Sequence, residues 1–230
     1  MLKRRRIPLE GTENTRDLGG YPIGRDKMTK YGVFLRSGLP RGLSENDESM
    51  LKLMGITTII DLRSPAEVSR RPSFFEGHPG FLYHHLHLTG EGGILEGQDQ
   101  IGLSYFNMTK GESAPKIFRH MASMEGGCLF HCTAGKDRTG TISAILLLLA
   151  GAKQSDIVAD YCISYSYLAE LIRGLKVDYP DLPAYLGRSD PDFMEDFLRR
   201  FLAEYGSAEA YLRGLSLSAG EIEALRDKLV

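Results

Sequence analysis

Cysteine is scarce in this chain, and neither sign of charge is in surplus. Three cysteines, Cys128, Cys132 and Cys162, are too few and of the wrong parity for a disulfide framework, which points to a reducing compartment. A formal net charge of −2 and a sequence pI near 6.3 remove the global basic character that nucleic acid or an anionic membrane surface selects. The apolar run Ile142 to Ala152, interrupted by Ser143, falls short of the roughly 20 residues a membrane span requires. Lys3-Arg4-Arg5-Arg6 gives a basic start, but Pro8, Glu10 and Glu13 stand where a secretory signal would be apolar. No repeat or low-complexity tract interrupts the 230 residues. With 42% hydrophobic and 25% charged residues the composition is that of a globular domain with one sizeable core. The expectation is a cytoplasmic protein, with export lacking a cleaved signal left open. Residues 1–7 form a flexible basic tail before a single domain over 8–230. No nucleic-acid partner and no stable membrane insertion are expected, and the oligomeric state stays open.

What is present is local. In His131-Cys132-Thr133-Ala134-Gly135-Lys136-Asp137-Arg138-Thr139-Gly140 an arginine follows a cysteine by six positions, with small residues between. Gly127-Cys128-Leu129-Phe130 before it has strand character, and Thr141 to Leu149 after it can start a buried helix. The motif therefore falls on a strand-to-helix turn. There the first helical amides lack partners and the helix dipole is positive, so the loop gathers donors around an anion. A thiol in that field, beside Lys136 and Arg138, is expected as the thiolate. Arg138 offers a planar fork for two phosphate oxygens, a geometry lysine does not reproduce. Thr133, Ala134, Gly135, Lys136, Asp137 and Arg138 are thus the candidate phosphate loop around Cys132.

His-Cys-x5-Arg-Thr-Gly resembles the signature of the cysteine-dependent protein tyrosine phosphatase superfamily. With Ala-Gly-Lys-Asp inside the loop, it is similar to the bacterial PtpB-like tyrosine phosphatases, some of which also hydrolyse phosphoinositides. Asn14-Thr15-Arg16-Asp17-Leu18-Gly19-Gly20-Tyr21 resembles that family's N-terminal signature, followed by Leu35-Arg36-Ser37-Gly38 and Asp61-Leu62-Arg63-Ser64. The tail from Glu204 through Arg226 follows the pattern too. The resemblance implies a phosphatase domain over 8–230 acting on phosphotyrosine proteins, with phosphoinositides as second substrate class.

The expected reaction is monoester hydrolysis in two displacements. Cys132 attacks phosphorus to give a phosphocysteine, and water then releases phosphate. Loop amides and Arg138 hold the equatorial oxygens, so no metal or cofactor is required. Thr139 is expected to hydrogen-bond the sulfur, to cap the helix, or to do both. His131 is expected to fix the loop through backbone bonds, ahead of acting as a base. The general acid stays open between two carboxylates. Asp137 matches the position implicated by the resemblance, although Lys136 and Arg138 beside it favour its ionised form; Asp61 is the rival, unless it merely braces Arg63. Lys136 reads as a second charge at the pocket mouth, suited to a doubly phosphorylated headgroup or a phosphoprotein surface. A tyrosine phosphatase is the first reading, with a phosphoinositide or dual-specificity phosphatase second and a non-catalytic phosphate-binding module third. A Walker loop is excluded, because its first glycine would fall on Phe130 and its Ser or Thr on Asp137. A sulfurtransferase also uses a loop cysteine, but Arg138-Thr139-Gly140 favours phosphate.

Along the chain, Arg16 and Asp17 either brace each other in a turn or support the active site. Tyr31 to Arg36 reads as a strand, and Ser44 caps a helix ending at Gly55. Ile56 to Ile60 is a buried central strand with Asp61 and Arg63 at its C-terminal end, where open α/β sheets place ligands. Phe81 to Leu88 is another strand, whose alternation sets His85 and His87 on one face and His84 on the other, against a metal site. Gly90 to Gly102 reads as a loop and Ala114 to Met124 as a helix. Residues 155–187 start as an aromatic-rich helix and are a candidate lid or helical insertion; Tyr179 to Pro191 is a connector. Helices are expected over Asp192 to Tyr205, Ala208 to Arg213 and Ser218 to Leu229. The fold class is α/β of the protein tyrosine phosphatase type: a central, mostly parallel sheet flanked by helices, with extra C-terminal helices.

Overall fold

The computed structural model describes residues 4–88, 97–183 and 185–230. In chain order the first elements are the strands Arg16–Asp17 (β1) and Phe34–Ser37 (β2), the helix Glu45–Leu53 (α1), the strand Ile56–Asp61 (β3), the helix Pro65–Arg70 (α2) and the strand Leu82–His85 (β4). Then come the helices Ile101–Met108 (α3) and Ala114–Ser123 (α4), the strand Gly127–His131 (β5) and the helix Asp137–Ala150 (α5). The helices Gln154–Tyr167 (α6), Ala169–Asp178 (α7), Pro191–Tyr205 (α8), Ala208–Gly214 (α9) and Ala219–Leu229 (α10) complete it. The sheet runs β1-β2-β5-β3-β4, parallel throughout except for β1 against β2. This is the mostly parallel, helix-flanked sheet that the sequence implies, with β5 near its middle.

Alternation along the strands splits the core into two layers. Cys128 and Phe130 of β5, Phe34 of β2 and Ile60 of β3 face the cluster that contains α5 and the C-terminal helices. Leu129, Leu35 and Ile59 face the opposite side, against Leu51, Phe75 and Phe81. A register shift between Ile56 and Thr58 interrupts the β3 ladder to β5. In α8, Phe193, Phe197 and Phe201 recur every four residues and all are buried. Each such ring contributes about 2–3 kcal/mol of burial free energy, so the C-terminal helices are part of the core and not an appendage. Ser44 and Asp47 close a full capping box on α1, Ser64 and Glu67 close another on α2, and Gly151, at φ +87°, ends α5.

Two expectations need correction, and two more are made specific. Residues 4–7 are not a free tail: Arg5 and Arg6 each lie 4.6 Å from an aromatic ring, of Tyr21 and Tyr167, and Ile7 is buried in the core. The stretch Gly90 to Gly102 is not a loop at its end, since Gln98–Gln100 forms a 3-10 turn leading into α3. Ile101, Tyr105 and Met108 have helical spacing and bury one face there; residues 89–96 lie outside the described ones. Arg16 and Asp17 do not brace each other, because neighbours on a strand point to opposite faces. Arg16 pairs with Asp160 of α6, while Asp17 accepts from the amides of Gly19 and Gly32. The histidines go to separate partners: the His84 ring sits 4.6 Å from that of His120, and His85 Nε2 donates to the Arg63 carbonyl at 2.8 Å.

Candidate active site

β5 is buried along its whole length and delivers Cys132 to the start of the loop, 2% exposed, just before α5 begins. Lys136 occupies the N-cap position and gives no side-chain cap, so the first amides of α5 are left to the loop. The loop closes because Gly135 adopts φ +66°. A Cβ there would lie 2.4 Å from the Ser37 backbone, so no other residue fits without moving β2.

Outer braces hold the loop carbonyls. Asn14 Nδ2 donates to Ala134 O and Gly135 O, both at 3.0 Å, and Arg36 Nη2 donates to Gly135 O at 2.8 Å. Arg36 and Arg16 share the buried carboxylate of Asp160, and Arg16 also donates to the Asn14 side chain at 2.6 Å. Arg16 is therefore in the support of the loop and not in the cavity. Burial, followed by the charge of Arg16, lowers the Arg36 pKa to about 10, still well above neutral.

Arg138 makes a bidentate pair with Glu67, Nη1 to Oε2 at 2.6 Å and Nη2 to Oε1 at 2.8 Å. Thr133 Oγ1 donates to the same carboxylate at 2.6 Å. The Arg138 bonds hold Glu67 well below the usual carboxylate range against its partial burial. Burial works against the Arg138 charge, but Glu67 outweighs it and raises its pKa. Glu67 was not among the residues singled out from sequence; its signal was the Ser-x-x-Glu spacing of a capping box directly after β3.

Asp137 opens α5 with its carboxylate partly exposed. Tyr105 donates to its Oδ1, and Lys136 Nζ lies 3.4 Å from the same oxygen. Asp61 is held differently. It is fully buried, takes Arg63 Nη2 at 2.6 Å and Tyr83 Oη at 2.9 Å, and does not line the cavity. Burial favours its protonated form, but its partners keep it below the ordinary value. His131 is buried too; its Nδ1 donates to Cys132 O at 3.2 Å, and burial lowers its pKa. Thr139 Oγ1 is buried without a hydrogen-bond partner among the described residues and makes no bond to the sulfur. Lys136 is not the free charge expected at the pocket mouth. It is 6% exposed and its Nζ donates to Arg188 O at 2.7 Å, because the connector after α7 folds back over the loop.

Arg138, Asp137 and Lys136 line a cavity of about 590 Å³. Met108 of α3 and Leu168, Leu171 and Ile172 around the start of α7 give it apolar walls, and Ser64, Arg70 and His87 also line it. A tyrosine phosphatase family model matches residues 7–230. The chain belongs to the tyrosine phosphatase family. A tyrosine-protein phosphatase of Nostoc commune is 31% identical over 233 residues, spanning 90% of this chain and 78% of its own. Among solved structures, Pseudomonas aeruginosa TpbA in complex with pTyr aligns with 85% of this phosphatase and 84% of its own chain, at 15% identity and a TM-score of 0.33. The core catalytic domain of the PP-IP phosphatase Siw14 from Saccharomyces cerevisiae covers 77% of it and 92% of its own chain, at 17% identity and a TM-score of 0.38.

Proposed function

We propose that this tyrosine phosphatase hydrolyses phosphotyrosine in protein substrates through a phosphocysteine on Cys132. The observation that carries the reading is a phosphate loop opening into a cavity with apolar walls, Met108, Leu168 and Leu171 among them. An aryl ester fills such walls with its ring while its phosphate reaches the helix terminus; a seryl ester leaves them empty. Cys132 forms the S–P bond as the bond to the tyrosyl oxygen breaks, and Arg138 with the loop amides carries the charge of the equatorial oxygens. Asp137 gives its proton to the departing oxygen and takes one back from the attacking water. Asp61, saturated by Arg63 and Tyr83, serves as a brace. The Thr139 hydroxyl, without a partner among the described residues, has a hydrogen bond to give, and the sulfur as it leaves phosphorus is the acceptor it suits. Residues 8–230 act as one domain, since one buried cluster runs from Leu18 to Leu229. The cytoplasm is the compartment that keeps such a thiol reduced.

The test compares rates on phosphotyrosine peptide, phosphoserine peptide and a phosphoinositide, with Cys132→Ser as control. Phosphotyrosine is expected to be fastest. A faster phosphoinositide moves the assignment to a lipid phosphatase, and no turnover by reduced wild type leaves only a binding module. Asp137→Asn is expected to cost at least about a hundredfold on phenyl phosphate and far less on 2,4-dinitrophenyl phosphate, whose leaving group needs no proton. Asp61→Asn shows no such dependence.

A further inference from the structure

Tyr105 is 2% exposed in α3, yet its hydroxyl meets two polar groups there, Asp137 Oδ1 and, at 2.7 Å, the hydroxyl of Tyr161 in α6. Tyr161 is itself fully buried, and the two rings meet edge to face with centroids 5.8 Å apart. A phenol buried this deeply needs a partner, and a relay in which the Tyr161 hydroxyl meets that of Tyr105 and only Tyr105 reaches the carboxylate at the edge of the cavity is more than core packing requires. Burial first, then the charge of Asp137, holds the Tyr105 phenol well above its ordinary pKa, so it is a donor wherever the enzyme works. Among the described residues the hydrogen bond from Tyr105 and the nearest approach of the Lys136 ammonium both fall on Oδ1, which leaves Oδ2 for chemistry.

We infer that Tyr105, backed by Tyr161, is a positioning residue that fixes Asp137 with Oδ2 toward the reacting ester. This rests on Asp137 being the proton donor proposed above. In the first step the Oδ2 proton passes to the tyrosyl oxygen as the O–P bond breaks and the S–P bond forms. In the second, water gives a proton to Oδ2 while its oxygen bonds phosphorus and the S–P bond breaks. A carboxylate free to rotate at the start of α5 meets both positions less often. The charged and titratable groups around it are Lys136 and Arg138 on its own segment, Glu67 of α2 through Arg138, and Arg70 and His87, which line the same cavity.

The experiment measures kcat/KM of wild type, Tyr105→Phe, Asp137→Asn and the double variant on phenyl phosphate and on 2,4-dinitrophenyl phosphate, with inhibition by inorganic phosphate as a check on the loop. Tyr105→Phe is expected to lose about tenfold on phenyl phosphate, less than twofold on the dinitrophenyl ester, and nothing further in the Asp137→Asn background. Equal losses on both esters, or an additive loss in the double variant, overturn the proposal. If Asp137→Asn itself shows no leaving-group dependence, the donor assignment fails first and is distinguished by that result. Should Tyr105→Phe not fold, Tyr161→Phe must show the same selective loss at smaller size, and a uniform loss there overturns the inference.

Discussion

The carboxylate of Glu67 grips the guanidinium of Arg138 by both oxygens, and the same carboxylate is the third residue of the capping box that starts α2. One side chain therefore ties the orientation of the Arg138 fork, proposed above to bind phosphate, to the segment just after β3. A fork that is free to swing loses the bidentate approach to phosphate, and misplacements of about 1 Å cost on the order of a hundredfold in rate. Glu67→Ala should lower kcat/KM by about ten- to a hundredfold, with Glu67→Gln in between, and weaken inhibition by inorganic phosphate in parallel.

The same pair sets a pH dependence of stability. Arg138 depresses the Glu67 pKa below its ordinary 4.5, so the folded state prefers the ionised form. That contribution is fully present above the unfolded value, about 4.5, and is lost as pH falls toward the folded one. Thermal melts from pH 7 to pH 3 should show the wild type losing stability below about pH 4.5, and Glu67→Gln losing less across the same window.

Much of this was legible in the chain. Ser44 as a cap, Ile56 to Ile60 as a buried strand, and Cys132 at a strand-to-helix turn all follow from residues within a few positions of one another. The partners of the loop were not. Asp160 is 144 positions from Arg16, and no local periodicity distinguishes it from any acidic residue on a helix. Tyr105 and Tyr161 were hidden for the same reason, since an aromatic at helical spacing reads as core whether or not its hydroxyl has a second task. Glu67 was the near miss, because its capping spacing is visible but its reach to Arg138 depends on β3 and β5 being neighbours.

Asp160 is the centre of a buried network whose removal has a definite sign. Burial opposes its charge, but Arg16 and Arg36 outweigh that and hold its pKa far below the usual range; Tyr21 Oη adds a bond at 2.9 Å. Asp160→Ala strands two buried guanidiniums, a change that typically costs about 3–5 kcal/mol. Asp160→Asn keeps the shape and should cost less. Urea denaturation reads the stability, and because Arg36 holds Gly135 O, whatever folded Asp160→Asn is obtained should also lose kcat.

Lys136 provides the last prediction. Its Nζ donates to Arg188 O, while Tyr185, Leu186 and Gly187 just before it line the same cavity as Arg138, so the loop's ammonium tethers the end of the expected lid, residues 155–187. Lys136→Met keeps the stem and removes the donor. Because Ser189 still binds the Tyr165 amide and Cys162 O, the segment stays anchored from that side. Loss of one charged hydrogen bond should then speed amide exchange around Arg188 by about tenfold without unfolding α6. Exchange left unchanged, with KM for phosphotyrosine raised, would show instead that the ammonium serves the substrate and that its bond to Arg188 O does not hold the segment in the empty enzyme.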